Sequence, residues 1–162
     1  MKPKMVGAAR GGTPAKRPIE GNTGMAAGTP VLTLDGELPI EFLSVGDRVI
    51  TRAGTARVTD IHVTEITLRP YMVVSGTLGQ DRPDQDILLA PGQKILLRDW
   101  RAKALFDADQ AKVPVDRIAD GSYIAKQPEQ SLRLFTLRFD SDQVIFAGGL
   151  ELVAETSVPV AA

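Results

Sequence analysis

The chain has 162 residues, a formal net charge of −1 and no cysteine. This length fits one domain, and a hydrophobic fraction of 43% allows a core to form without disulfide or metal support. The lack of cysteine excludes a disulfide framework, a thiolate metal site and a cysteine nucleophile.

The charge is distributed unevenly along the chain. Residues 1–23 carry five basic residues and one acidic residue, which leaves −5 for the remainder. Neither part is basic enough for a duplex-binding footprint, so we expect no nucleic-acid partner. No apolar run approaches the ~18 residues of a membrane helix, and no apolar segment follows the N-terminal lysines. We therefore expect no membrane association and no Sec signal peptide; a cytoplasmic location is favoured, with non-classical secretion as the alternative.

The composition predicts three parts of the chain. Residues 1–27 are rich in Gly, Ala, Pro, Lys and Arg, with hardly any periodic apolar residues, and are expected to form a disordered basic tail. Residues 28–156 are expected to form the folded domain. Residues 157–162 are expected to be a flexible C-terminus.

Short apolar runs alternate with turn residues from Val31 onward, and this alternation predicts antiparallel strands. The predicted strands are, in chain order, Val31 to Leu34, Leu38 to Leu43, Arg48 to Arg52, one or two strands in Thr55 to Leu68, Tyr71 to Val74, Ile87 to Leu89, Lys94 to Arg98, Tyr123 to Ala125, Leu132 to Phe139, Val144 to Phe146, and Leu150 to Val153.

Three further stretches qualify this pattern. The segment from Trp100 to Asp109 fits either one short helical turn or two more strands, and Val113 to Asp120 predicts a brief helix. The alternation changes phase between Leu134 and Phe135, which predicts a bulge or a strand that changes faces. We expect a compact, antiparallel all-β fold of about a dozen short strands with at most one or two short helical turns.

Three blocks of the sequence resemble, in order and spacing, those of Hint (Hedgehog/intein) domains, especially in bacterial Hint proteins. The first block runs from Gly28 to Thr51 and reads GTPVLTLDGELPIEFLSVGDRVIT. A central block spans Ile87 to Leu96, and a last block spans Phe135 to Gly149. The resemblance covers roughly residues 24–156 and implies a Hint-like β fold.

The resemblance also implies a self-processing reaction, and the residues that it requires are replaced in this chain. In active members a thiol or hydroxyl attacks the preceding carbonyl, and a central-block His assists departure of the amide nitrogen. Gly24 stands at the nucleophile position and Gln93 at the His position. Thr136 and Asp142 stand in the last block, where bacterial relatives often show further His.

The nearest hydroxyls to the missing nucleophile belong to Thr23 and Thr29. Either hydroxyl would be displaced toward a different carbonyl, and each would still need a base. Thr29 is better interpreted as a strand-entry residue whose hydroxyl satisfies a local backbone group. The predicted positions of the degenerate site are therefore Gly24, Thr29, Gln93 and Asp142, with no catalytic residue among them.

We therefore predict a Hint-domain protein that does not splice or cleave itself and is not an enzyme. It would act as a monomeric binding or structural module with a protein partner, and no cofactor is expected. Two alternatives stay open: an active autoprotease with a non-cysteine nucleophile, and a secreted interaction module.

Other chemistry-bearing residues point to no site. His62, the only histidine, alternates within a predicted strand and is interpreted as half-exposed and structural. Asp81, Asp84 and Asp86 lie in one polar segment, but Arg82 and Pro83 interrupt them. This segment lacks the glycine and terminal glutamate of an EF-hand, so we interpret it as a solvated acidic loop and expect no metal.

Overall fold

A computed structural model describes residues 23–79 and 83–156. Most of the predicted tail (residues 1–22) and the whole predicted C-terminus (157–162) therefore lie outside the described residues, as does Asp81. The strands are β1 (Met25–Ala26), β2 (Pro30–Thr33), β3 (Gly36–Pro39), β4 (Arg48–Thr51), β5 (Gly54–Arg57), β6 (Asp60–Leu68), β7 (Tyr71–Val73), β8 (Ile87–Leu89), β9 (Lys94–Leu97), β10 (Ala111–Pro114), β11 (Ile124–Lys126), β12 (Gln130–Arg138), β13 (Gln143–Ala147) and β14 (Leu150–Ala154). One α-helix, α1 (Trp100–Phe106), and two 3₁₀ turns, Ile40–Phe42 and Val115–Arg117, complete the described elements.

The described strands form two sheets, and their pairings are antiparallel, as the sequence predicts. The six-stranded sheet has the order β11, β7, β8, β1, β12, β6. The eight-stranded sheet runs β10, β9, β14, β13, β2, β4, β5, with β3 paired to β2 and a further pairing between β13 and β4. The first sheet includes β1, so ordered pairing begins three residues before residue 28.

The hairpin turns lie at the glycine-containing positions that the sequence predicts. Gly36 in the β2–β3 turn has a φ of 98°. Gly148 and Gly149, between β13 and β14, have φ of 59° and 93°. These left-handed values are accessible to glycine at little cost, which explains why such turns carry it.

The core lies between the two sheets. It includes fully buried side chains from both, among them Val73, Leu89 and Ile124 of the six-stranded sheet and Ile145 and Leu152 of the eight-stranded one. Apolar burial on this scale is the main stabilising contribution to a domain without disulfides.

Two predicted element boundaries were wrong, and one open alternative is resolved. The predicted strand Leu38 to Leu43 ends at Pro39 and continues as a 3₁₀ turn. The predicted helix from Val113 begins instead as the end of β10, because this stretch pairs with β9, and only Val115–Arg117 forms a helical turn. The segment after Trp100 is helical, capped by the Asp99 carboxylate, which accepts from the Arg101 N–H.

The predicted bulge in β12 is absent. All nine residues of β12 pair with β6 in unbroken register, from Gln130 opposite Leu68 to Arg138 opposite Asp60. Leu134 and Phe135 point to opposite faces and are both buried, at 2% and 4% exposure. A strand covered on both faces shows adjacent apolar residues without any change of phase.

No helix among residues 23–79 and 83–156 is long and apolar enough to span a membrane. Within the same ranges, no group of three or more His, Asp or Glu side chains is arranged to hold a metal ion.

Candidate functional site

Gly24 and Gln93 meet in the buried interior. The Gly24 N–H donates to Oε1 of Gln93 at 2.9 Å, across 69 residues of sequence. The Gly24 carbonyl accepts from the Ala90 N–H at 3.0 Å. Both backbone polar groups of Gly24 are therefore paired within the loop that connects β8 to β9.

Both the oxygen and the nitrogen of the Gln93 carboxamide form hydrogen bonds, and these bonds link three segments of the chain. Its Nε2 donates to the carbonyls of Lys94 at 3.0 Å and Val153 at 2.9 Å, while Oε1 accepts from Gly24. The side chain is buried, and this set of partners fits only one orientation of the amide. Gln93 thereby links the residue that precedes β1 to strands β9 and β14.

A side chain at position 24 would be crowded and conformationally strained. Its φ is 119°, in the region that favours glycine. A Cβ atom placed there would lie 3.0 Å from the Phe135 carbonyl oxygen, 3.0 Å from Thr136 Oγ1 and 3.4 Å from the Cβ of Leu134. The closest of these neighbours is backbone within a paired strand, so it cannot move aside cheaply.

Thr136 and His62 continue a row that starts at Gly24. Thr136 pairs with His62 across β12 and β6, and antiparallel partners project to the same face. Since neighbouring strands are about 4.8 Å apart, the Gly24 and His62 backbones are separated by roughly 10 Å. His62 is half-buried, and its Nε2 lies 2.8 Å from Thr64 Oγ1. Sequence reasoning missed this placement of His62, because it follows only from the register of β6 on β12.

Thr23, next to this row, has a buried hydroxyl group without a hydrogen-bond partner. Thr23 Oγ1 is the one buried side-chain polar atom that lacks a hydrogen-bond partner in the described part of the chain. An unpaired buried hydroxyl costs about 1–3 kcal/mol, so most are paired in folded proteins.

The other two predicted positions make their hydrogen bonds elsewhere. The Thr29 hydroxyl donates to the Ala26 carbonyl at 2.7 Å, and its own carbonyl accepts from the Ile40 N–H. Asp142 Oδ1 accepts from the N–H and hydroxyl of Thr156 at 2.7 and 3.0 Å. No hydrogen bond among the described residues joins Thr29 or Asp142 to Gly24 or Gln93.

The side chains of the site determine which chemistry it can support. The residues around the Thr23–Gly24 peptide bond supply a glycine, a carboxamide and two threonine hydroxyls, those of Thr23 and Thr136, and none of these groups titrates near neutral pH. The one group that contacts the Gly24 nitrogen is an acceptor for its N–H. This arrangement holds the peptide in place and supplies no proton to its nitrogen.

The comparisons with known proteins agree with the fold. A family model for the Hint domain matches residues 23–161, and the chain belongs to this family. No curated protein matches the chain.

Solved structures of inteins share the architecture. A bacterial intein-like domain from Clostridium thermocellum is 15% identical, with a TM-score of 0.56, and the match covers 83% of this chain and 99% of that one. A DnaB intein from Synechocystis sp. PCC 6803 is 12% identical, with a TM-score of 0.55 and the same coverage. The gp41-1 intein is 13% identical, with a TM-score of 0.50, over 83% of this chain and 99% of the other. At these identities the likeness establishes the fold.

Proposed function

We propose that this Hint-domain chain does not process itself and acts as a binding or structural module. The observation that carries the proposal is the Gly24–Gln93 hydrogen bond, at a position where a side chain would be crowded. Acyl transfer at a peptide bond needs a nucleophile against the carbonyl and a group that protonates the leaving nitrogen. Gly24 provides no nucleophile, and the Gln93 oxygen accepts the proton of that nitrogen instead of donating one.

The same contacts support a structural role for the former reaction centre. Gln93 joins segments of both sheets through three hydrogen bonds, and Gly24 lets β1 approach β12 closely. A folded scaffold can keep its architecture while its original chemistry is lost. In this proposal the site stabilises the domain, and the surface of the domain carries the function.

One observation favours the alternative of an autoprotease with a non-cysteine nucleophile. The Thr23 hydroxyl is buried and unpartnered immediately before Gly24, and His62 lies in the same region of the sheet. Against it, the side chain bonded to the Gly24 nitrogen remains a carboxamide.

A fusion experiment separates these two functions. The full chain is expressed behind an N-terminal carrier protein, purified, and incubated at neutral pH with and without a small thiol. Intact-mass spectrometry is expected to show the uncleaved fusion in both samples. Scission beside Gly24 that disappears in Thr23→Ala or His62→Ala, with Ser131→Ala as the matched control, would establish the autoprotease instead.

A further inference from the structure

A band of basic side chains crosses the outer face of the eight-stranded sheet. We call it the basic stripe, and it consists of Arg48, Arg52, Arg57, Arg98 and Lys112. In β4, Val49 and Thr51 are buried toward the core, so Arg48 points outward, and Arg57 lies opposite it on β5. Arg52 and Arg98 share the Glu151 carboxylate on this same face. Lys112 lines a groove together with Arg52.

Two arginines of the stripe are held in position by one buried acid. Arg52 contacts Oε1 of Glu151 at 2.6 Å, and Arg98 contacts Oε2 at 2.7 Å. The Glu151 side chain is 2% exposed, whereas the two arginine side chains are 39% and 38% exposed. One carboxylate between two guanidinium groups leaves an excess positive charge, presented to solvent on side chains whose direction is already fixed.

A second pair of arginines faces each other across β4 and β5, and Arg48 also lines a surface groove with Asp35 and Asp47. Arg48 and Arg57 are direct cross-strand partners, an arrangement that is destabilising for like charges. Both are exposed, and neither guanidinium has an ion pair or hydrogen bond among the described residues. An external anion at this position would relieve the repulsion.

The groove beside Arg52 and Lys112 offers space for a ligand side chain. It has a volume of about 270 Å³, and Arg52, Lys112, Gln110 and Gln143 contribute polar atoms to its walls. Asp142 also lines it, and its Oδ1 is already hydrogen-bonded to Thr156. The charged side chains that line the groove are therefore two basic residues, Arg52 and Lys112, and one acid, Asp142.

Charge is strongly segregated between the stripe and the rest of the domain. The five basic residues set against Glu151 and Asp142 give +3, while all other described residues together carry −8. A positive band on a negative domain orients an anionic partner toward one face and repels it from the others. A nucleic acid is disfavoured by the remaining negative surface.

We propose that the basic stripe docks an extended acidic polypeptide segment in which apolar residues are interspersed among the carboxylates. Half-buried apolar side chains of Ile50, Val144 and Phe146 lie on the same face, between the basic groups, and suit the apolar residues of such a segment. The inference rests on the proposed function, because it assigns the partner surface of a binding module.

Fluorescence anisotropy on the full chain tests this assignment. The probe is a fluorescein-labelled peptide of Glu-Glu-Leu repeats, about twelve residues long, which at about 3.3 Å per residue can cross the sheet. A Ser-Ser-Leu peptide of equal length is the uncharged control. We expect the acidic peptide to bind, the control not to bind, and the affinity to fall as salt is raised.

Charge-reversal variants locate the binding. The double variant Arg48→Glu/Arg57→Glu leaves the Glu151 cluster intact. It is expected to lower the affinity for the acidic peptide by about tenfold or more. The matched control Arg117→Glu/Lys126→Glu makes the same change in net charge at exposed positions away from the stripe and is expected to have little effect. Circular dichroism checks that both variants keep the fold.

Three results would overturn the assignment: no binding above the Ser-Ser-Leu control, equal losses in the two double variants, or tighter binding of an oligo-dT of the same charge. The mass of the carrier fusion is measured separately. An intact fusion without peptide binding removes this inference alone, whereas scission removes the proposed function.

Discussion

The backbone N–H of Gly24 and the side-chain oxygen of Gln93 are hydrogen-bonded at 2.9 Å in the interior of the domain. This bond lies at the positions where active relatives are expected to carry a nucleophile and a histidine. In this chain a glycine and a carboxamide occupy these positions and form a paired contact. The first predictions concern what that contact contributes to stability.

Replacing Gly24 should be costly because two effects add. We expect Gly24→Ala to lower the free energy of unfolding by about 2–4 kcal/mol, from the unfavourable φ and the close approach to Phe135 and Thr136. Urea denaturation measures the change. Gly36→Ala is the matched control, since its φ is also positive but no atom lies within 4 Å of the new Cβ, and about 1 kcal/mol is expected there. Equal losses in both variants would show that the crowding at Gly24 contributes nothing.

Removing the carboxamide should leave buried partners unpaired. We expect Gln93→Leu to destabilise the domain by about 2–4 kcal/mol, because the Gly24 N–H and the Val153 carbonyl lose their partner away from water. The exposed Gln85→Leu is expected to change stability by less than about 0.5 kcal/mol. Thermal unfolding of both variants checks this, and a Gln93→Leu melting temperature at the wild-type value would contradict it.

Glu151 should make stability depend on pH. Burial acts to raise the pKa of Glu151, but hydrogen bonds and charge from Arg98 and Arg52 outweigh it and lower the pKa below its ordinary value. A group with a lowered folded pKa stabilises above its unfolded pKa, about 4.3, and loses this contribution as pH falls through the folded value.

We therefore expect Glu151→Gln to lower the free energy of unfolding by about 2 kcal/mol or more at pH 7, because two guanidinium groups lose their counter-charge. The loss should become smaller as the pH falls. Denaturant titrations across this pH range measure the difference from wild type. Glu155→Gln, which affects a more exposed pair with Lys94, should change stability by less than about 1 kcal/mol. A cost for Glu151→Gln that is the same at every pH would mean that its charge does not matter.

Adding a thiol alone should not create activity. We expect Gly24→Cys in the carrier fusion to stay uncleaved after incubation with a small thiol, because Gln93 still cannot protonate the leaving nitrogen and the new side chain crowds Phe135. Intact-mass spectrometry reads the result. Thiol-dependent release of the carrier from this single variant would show that the site needs only its nucleophile.

Local sequence signals predicted much of the fold. Turn pairs such as Gly148-Gly149 and the alternation before them define β13 and β14, since side chains repeat every two residues in a strand. The same logic failed where strand burial departs from simple alternation. Leu134 and Phe135 suggested a bulge because one apolar face was assumed, whereas β12 is covered on both.

The sequence by itself determined the β architecture, the Hint resemblance, and the identity of the residues at positions 24 and 93. These properties depend on local periodicity, turn residues and residue type. Only the tertiary structure decided that Gly24 contacts Gln93, that His62 lies in line with Thr136, and that five basic residues share one outer face. Such contacts depend on strand order and register between segments tens of residues apart, and a shift of one residue would turn every side chain of a strand to the opposite face.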